Sequence, residues 1–174
     1  MAALVPSSNP DEIMERLMDT HGTALFRLCY VMLKDYALAE DAVQESFVKA
    51  YKGLSQFNNT SPYSEKSWLN KIAVNTCKDI SRSAWFRFTD RKVAVEDVLR
   101  QTGDVTNDEP DLMNDILALP NKYRQIVLLY YYENLRYEDI AQTVGISIST
   151  VHGRLKRAAQ KLRVSLERGG MTHE

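Results

Sequence analysis

Tyr137-Glu138-Asp139-Ile140-Ala141-Gln142-Thr143-Val144-Gly145-Ile146-Ser147-Ile148-Ser149-Thr150-Val151-His152-Gly153-Arg154-Leu155-Lys156-Arg157 reads as a short helix, a glycine turn and a second helix opened by capping serines. That order is a helix-turn-helix unit. Each key residue has a steric reason. Ala141 is small where the two helices approach, and Gly145 can take the positive φ that the turn requires. Ile140, Ile146, Val151 and Leu155 fill the wedge between the helices. The four-residue step from Ala141 to Gly145 and the six further residues to Val151 are the specific part of the pattern.

In such a unit the second helix enters the major groove and its N-terminal side chains reach base edges. A helix from about Ser147 offers Ser149, Thr150, His152, Gly153, Lys156 and Arg157 to DNA. Lys156 and Arg157 can bond guanine acceptors, whereas Arg154, Lys161 and Arg163 are suited to phosphates, which fix register without reading sequence. From Ser147 to Arg168 there are six basic residues against one acid, Glu167. The bland alternative, a solvated helix ending a bundle, needs neither that excess nor the Ala-Gly-Val spacing. For His152 alone, idle exposure and base contact are both open.

Upstream, the charge reverses. Glu96 to Asp115 carries seven acids against Arg100, so the formal net charge of −1 conceals two opposite poles. A basic element attached to an acidic segment points to a local anion-binding surface. Between about Trp85 and Glu109 the apolar period fails amid Thr102, Gly103, Thr106 and Asn107, which makes 85–111 a linker. Such a linker lets the flanking domains touch or stand apart, and its acids beside a basic helix suggest a closed free form that masks the DNA surface.

On either side the apolar period is helical. Asn9-Pro10-Asp11-Glu12 predicts a capped helix start. The helix continues through Ile13, Leu17, Leu25, Leu28, Met32 and Leu33, with Gly22 as a weak point or break. After Asp35-Tyr36, a second helix puts Leu38, Ala42, Val43, Phe47, Tyr51 and Leu54 on a core face, opposite Glu40, Asp41, Gln44 and Glu45. Gln56 to Ser64 has a loop composition. A third helix follows, with Trp68, Leu69, Ile72, Ala73, Thr76 and Ile80 as its apolar face and Trp68 assigned to the core. After the linker the helical period resumes at Leu112, Ile116, Leu117 and Leu119, passes Pro120 and continues to Tyr130. No alternating strand pattern occurs. The expected fold is all-α: a helical bundle over 9–84, the linker 85–111 and the helix-turn-helix domain over 112–168.

Several function classes are excluded by what the chain lacks. The histidines His21, His152 and His173 have no Cys partner and no HExxH spacing, so no metal ion, cofactor or hydrolytic chemistry is expected and the protein is not read as an enzyme. Cys29 and Cys77 sit in apolar helical patterns and read as buried thiols. The longest apolar run, Ile126 to Tyr132, falls far short of the roughly 20 residues of a membrane span. With no basic segment followed by an apolar stretch at the N-terminus, the expected location is cytoplasmic.

Taken together, Ala39-Glu40-Asp41-Ala42-Val43-Gln44-Glu45-Ser46-Phe47-Val48-Lys49-Ala50-Tyr51, Trp68-Leu69-Asn70-Lys71-Ile72-Ala73-Val74-Asn75-Thr76 and Leu119-Pro120 through Arg163 resemble the extracytoplasmic-function RNA polymerase sigma factors of the sigma-70 family. The resemblance spans about Leu25 to Arg163. It implies a sigma-2 bundle and a sigma-4 helix-turn-helix domain, joined by a linker that threads near the polymerase active-site channel. It further implies binding to core RNA polymerase, to promoter DNA at −10 and −35, and to an anti-sigma factor.

By that resemblance Asp41, Gln44 and Glu45, which by themselves read as an ordinary solvated face, dock on the polymerase. Phe57, Asn58, Lys71, Ile72 and Asn75 meet the −10 element, with Asn75 and Ile72 lining a pocket for a flipped base. Ser149, Thr150, His152, Gly153, Arg154, Lys156, Arg157 and Lys161 meet the −35 element. The loop after Phe57 is longer than in familiar members, leaving Asn58, Asn59, Thr60 and Tyr63 as alternatives. His152 stands where members often carry a basic residue, and Gly153 where they carry a small polar one. The rival from another class is an autonomous regulator that binds a palindrome as a dimer.

Overall fold

A computed structural model describes residues 9–57, 62–84 and 109–170. Among these residues there is no strand, and the architecture is all-α, as expected. Helix α1 spans Pro10–Leu33. Asn9 caps it, its side chain accepting the Asp11 N–H at 3.2 Å, while Pro10 supplies a first turn that needs no donor. Lys34 ends the helix in the left-handed conformation, φ 54°, donating its N–H to the Tyr30 carbonyl at 2.7 Å. The weak point at Gly22 is not a break. Leu17, Leu25 and Leu28 are fully buried on both sides of it, and that packing outweighs the roughly 1 kcal/mol of glycine propensity.

Helix α2, Tyr36–Gly53, opens on Asp35, whose side chain accepts the Leu38 N–H at 2.9 Å. It buries Ala39, Ala42, Phe47 and Ala50 where it packs against α1 and the helix that follows, with Ser46 turning its hydroxyl back to the Ala42 carbonyl. Tyr51, assigned to the core face by spacing, is 48 % exposed and donates its hydroxyl to Asp11. An aromatic with a polar tip can follow the apolar period and still reach water. A single 3-10 turn, Leu54–Gln56, then leads to Phe57.

Helix α3 spans Pro62–Ala84, starting before Ser64 because Pro62 is already set for a first helical turn. Its first turn is fixed to α1 by a partly buried hydrogen-bond cluster. Glu65 receives Arg16 in a two-pronged bond (Nη1 3.0 Å, Nη2 2.8 Å) and lies 2.8 Å from His21 Nε2. The Arg16 hydrogen bonds outweigh burial and, with a smaller contribution from His21, hold the Glu65 carboxyl below the usual carboxylate range.

The second cluster contains α4, Glu109–Ala118, and α5, Asn121–Val127. The apolar period crosses Pro120, but the helix does not. Proline cannot donate to the previous turn, so the chain breaks there and restarts. Arg124 repairs the break: its Nη1 donates to the carbonyls of Leu117 and Leu119 at 3.0 and 3.1 Å. Burial lowers its pKa to about 10. A π-turn, Leu128–Tyr132, follows and turns Leu128 and Leu129 both inward. Helices α6, Tyr137–Val144, and α7, Ile148–Gly170, complete the domain. Gly145 between them has φ 76° and ψ 42°, the left-handed geometry its position demands. The clusters meet where α3 packs on α6 and α1 on α5.

Replacing Glu65 by glutamine removes the carboxylate from the Arg16 guanidinium and from the His21 ring. It is expected to cost about 1–2 kcal/mol in urea unfolding at pH 7, reduced by the half-exposed Arg16. Because the folded pKa lies below the unfolded one, this contribution is complete above the ordinary carboxylate range and fades as pH falls through the lowered value. The gap between wild type and variant should therefore narrow in acid; a constant gap would contradict the assignment.

Candidate nucleic-acid and polymerase interface

The recognition surface is built from the turn outward. Ser147 Oγ accepts the Thr150 N–H at 3.2 Å and lies 2.7 Å from the Thr150 hydroxyl, capping α7. Because successive residues advance by about 100°, Val151, Leu155 and Ala158 face inward while Ser149, Gly153, Lys156 and Arg157 share the outer face. Arg154 and Lys161 flank that face on one side and His152 on the other. Among the −35 candidates, Ser149, His152, Lys156, Arg157 and Lys161 are exposed, whereas Thr150, Gly153 and Arg154 are half-buried.

Two residues that the sequence reading missed complete this surface. Lys122 and Tyr123, from the start of α5, join Ser149, Gly153, Arg154 and Arg157 around a cavity of about 360 Å³. The ammonium groups of Lys122 and Lys161 lie 5.1 and 5.9 Å from the Tyr123 ring centre. Burial alone raises the Tyr123 pKa, but Lys122, Arg157 and Lys161 together reverse the shift and leave it below the ordinary phenol value. Three cations, Lys122, Arg154 and Arg157, thus line one cavity, with Lys161 close by on the Tyr123 ring. The signal in the sequence was a Lys-Tyr pair just after a proline break, which carries no meaning until α5 is packed under α7. On the far flank, Tyr137 meets His152 edge-on, centroids 6.0 Å apart, in front of Tyr130.

In the first cluster, Lys71 and Asn75 are exposed and Ile72 half-buried on one side of α3. Trp68 belongs to the same side. Assigned to the core, it is only partly buried and stacks on Phe57, centroids 4.2 Å apart and planes 15° apart. Its i, i+4, i+7 relation to Ile72 and Asn75 was the available signal. Asn58, with Asn59 and Thr60, lies outside the described residues, as does the acidic stretch of the linker before Glu109.

On α2, Asp41, Gln44 and Glu45 are exposed on one face, with Glu45 paired to Lys49 at 2.8 Å. Val48, 52 % exposed, sits among them and was not singled out beforehand. An apolar side chain in an acidic face suits protein docking. The second cluster also has an apolar groove of about 690 Å³, walled by Leu112, Ile116, Tyr131, Leu155 and Leu162. Both cysteines are buried, as read, and among the described residues no His, Cys, Asp and Glu cluster could hold a metal ion. No described helix is long and apolar enough to cross a membrane.

Residues 17–87 match the family model of sigma-70 region 2, and residues 112–162 that of sigma-70 region 4. A helical region 2 followed by a region 4 helix-turn-helix is the organisation of a sigma-70-type transcription-initiation subunit, a class without catalytic activity of its own. The sigma factor SigL of Mycobacterium tuberculosis is 33 % identical over 167 residues, covering 92 % of each chain. SigV of Bacillus subtilis is 32 % identical over 151 residues, covering 84 % of this chain and 86 % of its own. The chain belongs to the extracytoplasmic-function RNA polymerase sigma factors.

The solved structures agree on the fold. CnrH in complex with the cytosolic domain of CnrY superposes with a TM-score of 0.66 at 23 % identity, covering 91 % of this chain and 90 % of that one. RpoE in complex with the anti-sigma factor NepR from Bartonella quintana gives 0.70 at 21 %, covering 90 % and 98 %.

A Cβ added at Gly153 would meet no atom within 4 Å. Gly153→Ala is therefore expected to stabilise the free protein by about 0.5–1 kcal/mol, through helix propensity alone, in thermal or urea unfolding. A loss of stability would mean that the packing around α7 is tighter than described.

Proposed function

We propose that this sigma factor binds core RNA polymerase through the α2 face of Asp41, Gln44 and Glu45 and directs initiation at promoters read in two parts. The −35 duplex is met by α7: Ser149, Thr150, His152, Gly153, Lys156 and Arg157 face the bases, and Arg154, Lys161 and Lys122 the phosphates. The −10 element is met by Phe57 and by Lys71, Ile72 and Asn75 on α3, with Asn58 in the intervening loop. The observation that carries this reading is the concentration of cations on the outer face of α7 and the adjoining start of α5, in a chain whose formal net charge is −1.

The chemistry divides by position. Arg157 has the reach and the paired donors to recognise guanine, and its loss should relax sequence preference as well as affinity. Lys122, Arg154 and Lys161 neutralise backbone charge, which positions the helix without informing it. Near the −10 element, the Phe57–Trp68 stack offers an aromatic platform beside Ile72 and Asn75, the combination of stacking and polar edge that an unstacked base requires. Phosphoryl transfer remains with the polymerase. Because a neighbour of this fold, RpoE from Bartonella quintana, has been solved with the anti-sigma factor NepR, an anti-sigma factor is the partner assigned to the free form.

In transcription with core polymerase on a fragmented genomic template, discrete start sites should require both components. Asp41→Ala should weaken them by impairing core binding, and Arg157→Ala by impairing promoter binding while core binding persists. Transcripts indifferent to both changes would refute the assignment. Arg154→Ala should weaken DNA binding about equally on all sequences and lower the slope of log affinity against log salt by about 1, read by titration at several salt concentrations.

A further inference from the structure

Two nucleophilic side chains of the first cluster take no part in the surfaces described above. Cys29 of α1 and Cys77 of α3 are 0 % and 1 % exposed, and both belong to the core where α1 packs against α3. Both are free thiols. As packing groups they are replaceable, because other small apolar side chains would fill the same space. What an apolar core does not require is that the two thiols be placed together.

A cavity of about 200 Å³ shows how the two helices are matched. Met32 and Leu33 line it from α1, and Cys77, Ser81 and Arg82 from α3. Cys29 precedes Met32 and Leu33 by three and four residues, so it lies on the same face of α1, one turn away. That turn brings it beside Cys77. The closeness is felt in the ionisation of Cys29, whose thiol is pushed well above the ordinary range by its interaction with Cys77 and then by burial.

The two cysteines are not equivalent. Cys77 borders the cavity, whereas Cys29 lies behind it. The space admits several water-sized molecules, and its polar side is cationic. Lys78 is held there by the Val144 carbonyl, which its ammonium group meets at 3.2 Å, while the Arg82 guanidinium is exposed at the rim. A small polar oxidant can thus approach the Cys77 sulfur, and negative charge developing on its departing oxygen would meet these cations.

We propose that Cys29 and Cys77 form a two-electron oxidation site for a hydroperoxide, with Cys77 as the attacking thiol and Cys29 as the resolving one, closing into a disulfide between α1 and α3. The Cys77 sulfur attacks one oxygen of hydrogen peroxide: an S–O bond forms, the O–O bond breaks, and the leaving hydroxide carries off the thiol proton as water, giving a sulfenic acid. The Cys29 sulfur then attacks the Cys77 sulfur. The S–S bond forms, the S–O bond breaks, and the departing oxygen takes the Cys29 proton as a second water. Two thiols are oxidised by two electrons in all, and one peroxide is reduced to two waters. The crosslink joins α1 to α3 with the whole of α2 enclosed between its ends. The site stands on the placement of the two thiols and is independent of the promoter reading.

The test follows the thiols of the full, folded chain. After brief exposure to hydrogen peroxide and removal of the excess by catalase, the chain is denatured and alkylated. Both cysteines should escape alkylation in a monomeric chain, mass spectrometry should find a peptide linked through Cys29 and Cys77, and dithiothreitol should restore both thiols. In urea, where the pair is no longer held together, the crosslink should form at least about tenfold more slowly. In Cys29→Ala, Cys77 should accumulate as a sulfenic acid captured by dimedone. In Cys77→Ala, Cys29 should react at least about tenfold more slowly than that. Circular dichroism checks that helicity is retained, and the serine variants Cys29→Ser and Cys77→Ser replace any alanine variant that fails to fold. Two alkylatable thiols after peroxide treatment, a crosslink found only between chains, or one that forms faster in urea overturns the site. Equal reactivity in the two single variants overturns Cys77 as the attacking thiol.

Discussion

The left-handed turn at Gly145 is the constraint on which the outward face of α7 depends. With φ at 76°, both the Gly145 and Ile146 N–H groups fold back on the Ala141 carbonyl, at 2.9 and 3.0 Å. This reverses the chain within three residues and brings Val151 and Leu155 over Ile140. The rest of α7 then follows from helical geometry: once Val151 is inward, Ser149, Gly153, Lys156 and Arg157 have to be outward. A register error of one residue would rotate the helix by about 100° and drive cations into the wedge. Burying an unpaired charge there would cost several kcal/mol, so packing alone selects which residues face outward.

Helix α3 is governed by a different economy, since almost none of its circumference is idle. Leu69, Ala73 and Thr76 build the core against α1 and α2. Trp68, Lys71, Ile72 and Asn75 form the open side, and Lys66, Asn70, Val74 and Lys78 face the second cluster. Lys49 of α2 reaches in from outside, donating to Thr76 Oγ1 at 3.1 Å. The lysines of this region are therefore not equivalent. Lys49, Lys66 and Lys78 are held by protein oxygens, while Lys71 is exposed, and counting basic residues along the sequence would credit all four to a nucleic-acid surface.

This difference marks where sequence was informative. The first helix start was legible at Asn9-Pro10 because capping is local, and the turn was legible at Gly145 because it has one conformational solution. The α7 face was legible for the same reason: its periodicity spans six turns and its charges lie on one side. Legibility failed where the deciding neighbour is distant in sequence. Glu65 gave no sign of its partners Arg16 and His21, which lie 49 and 44 residues away. Lys122 and Tyr123 acquire meaning only under α7, and Trp68 reads as core because an aromatic in an apolar stripe usually is. Pro120 was misjudged differently: the apolar period continues through it, but the hydrogen-bond ladder does not, and only Arg124 reveals how the broken end is satisfied.

The charge distribution bears on how such a chain can find DNA. With a formal net charge of −1 its field at distances beyond a Debye length, about 8 Å at physiological salt, provides little steering toward a polyanion. The cations of α7 and α5 act only at contact range. A protein meant to bind duplex alone would gain both encounter rate and non-specific residence from a positive total charge, and this one forgoes both. An acidic face on α2 and a compact basic face on α7 instead suit a subunit whose DNA affinity is completed by its assembly, because contact-range cations alone hold a chain of this net charge only weakly on the large excess of non-specific duplex.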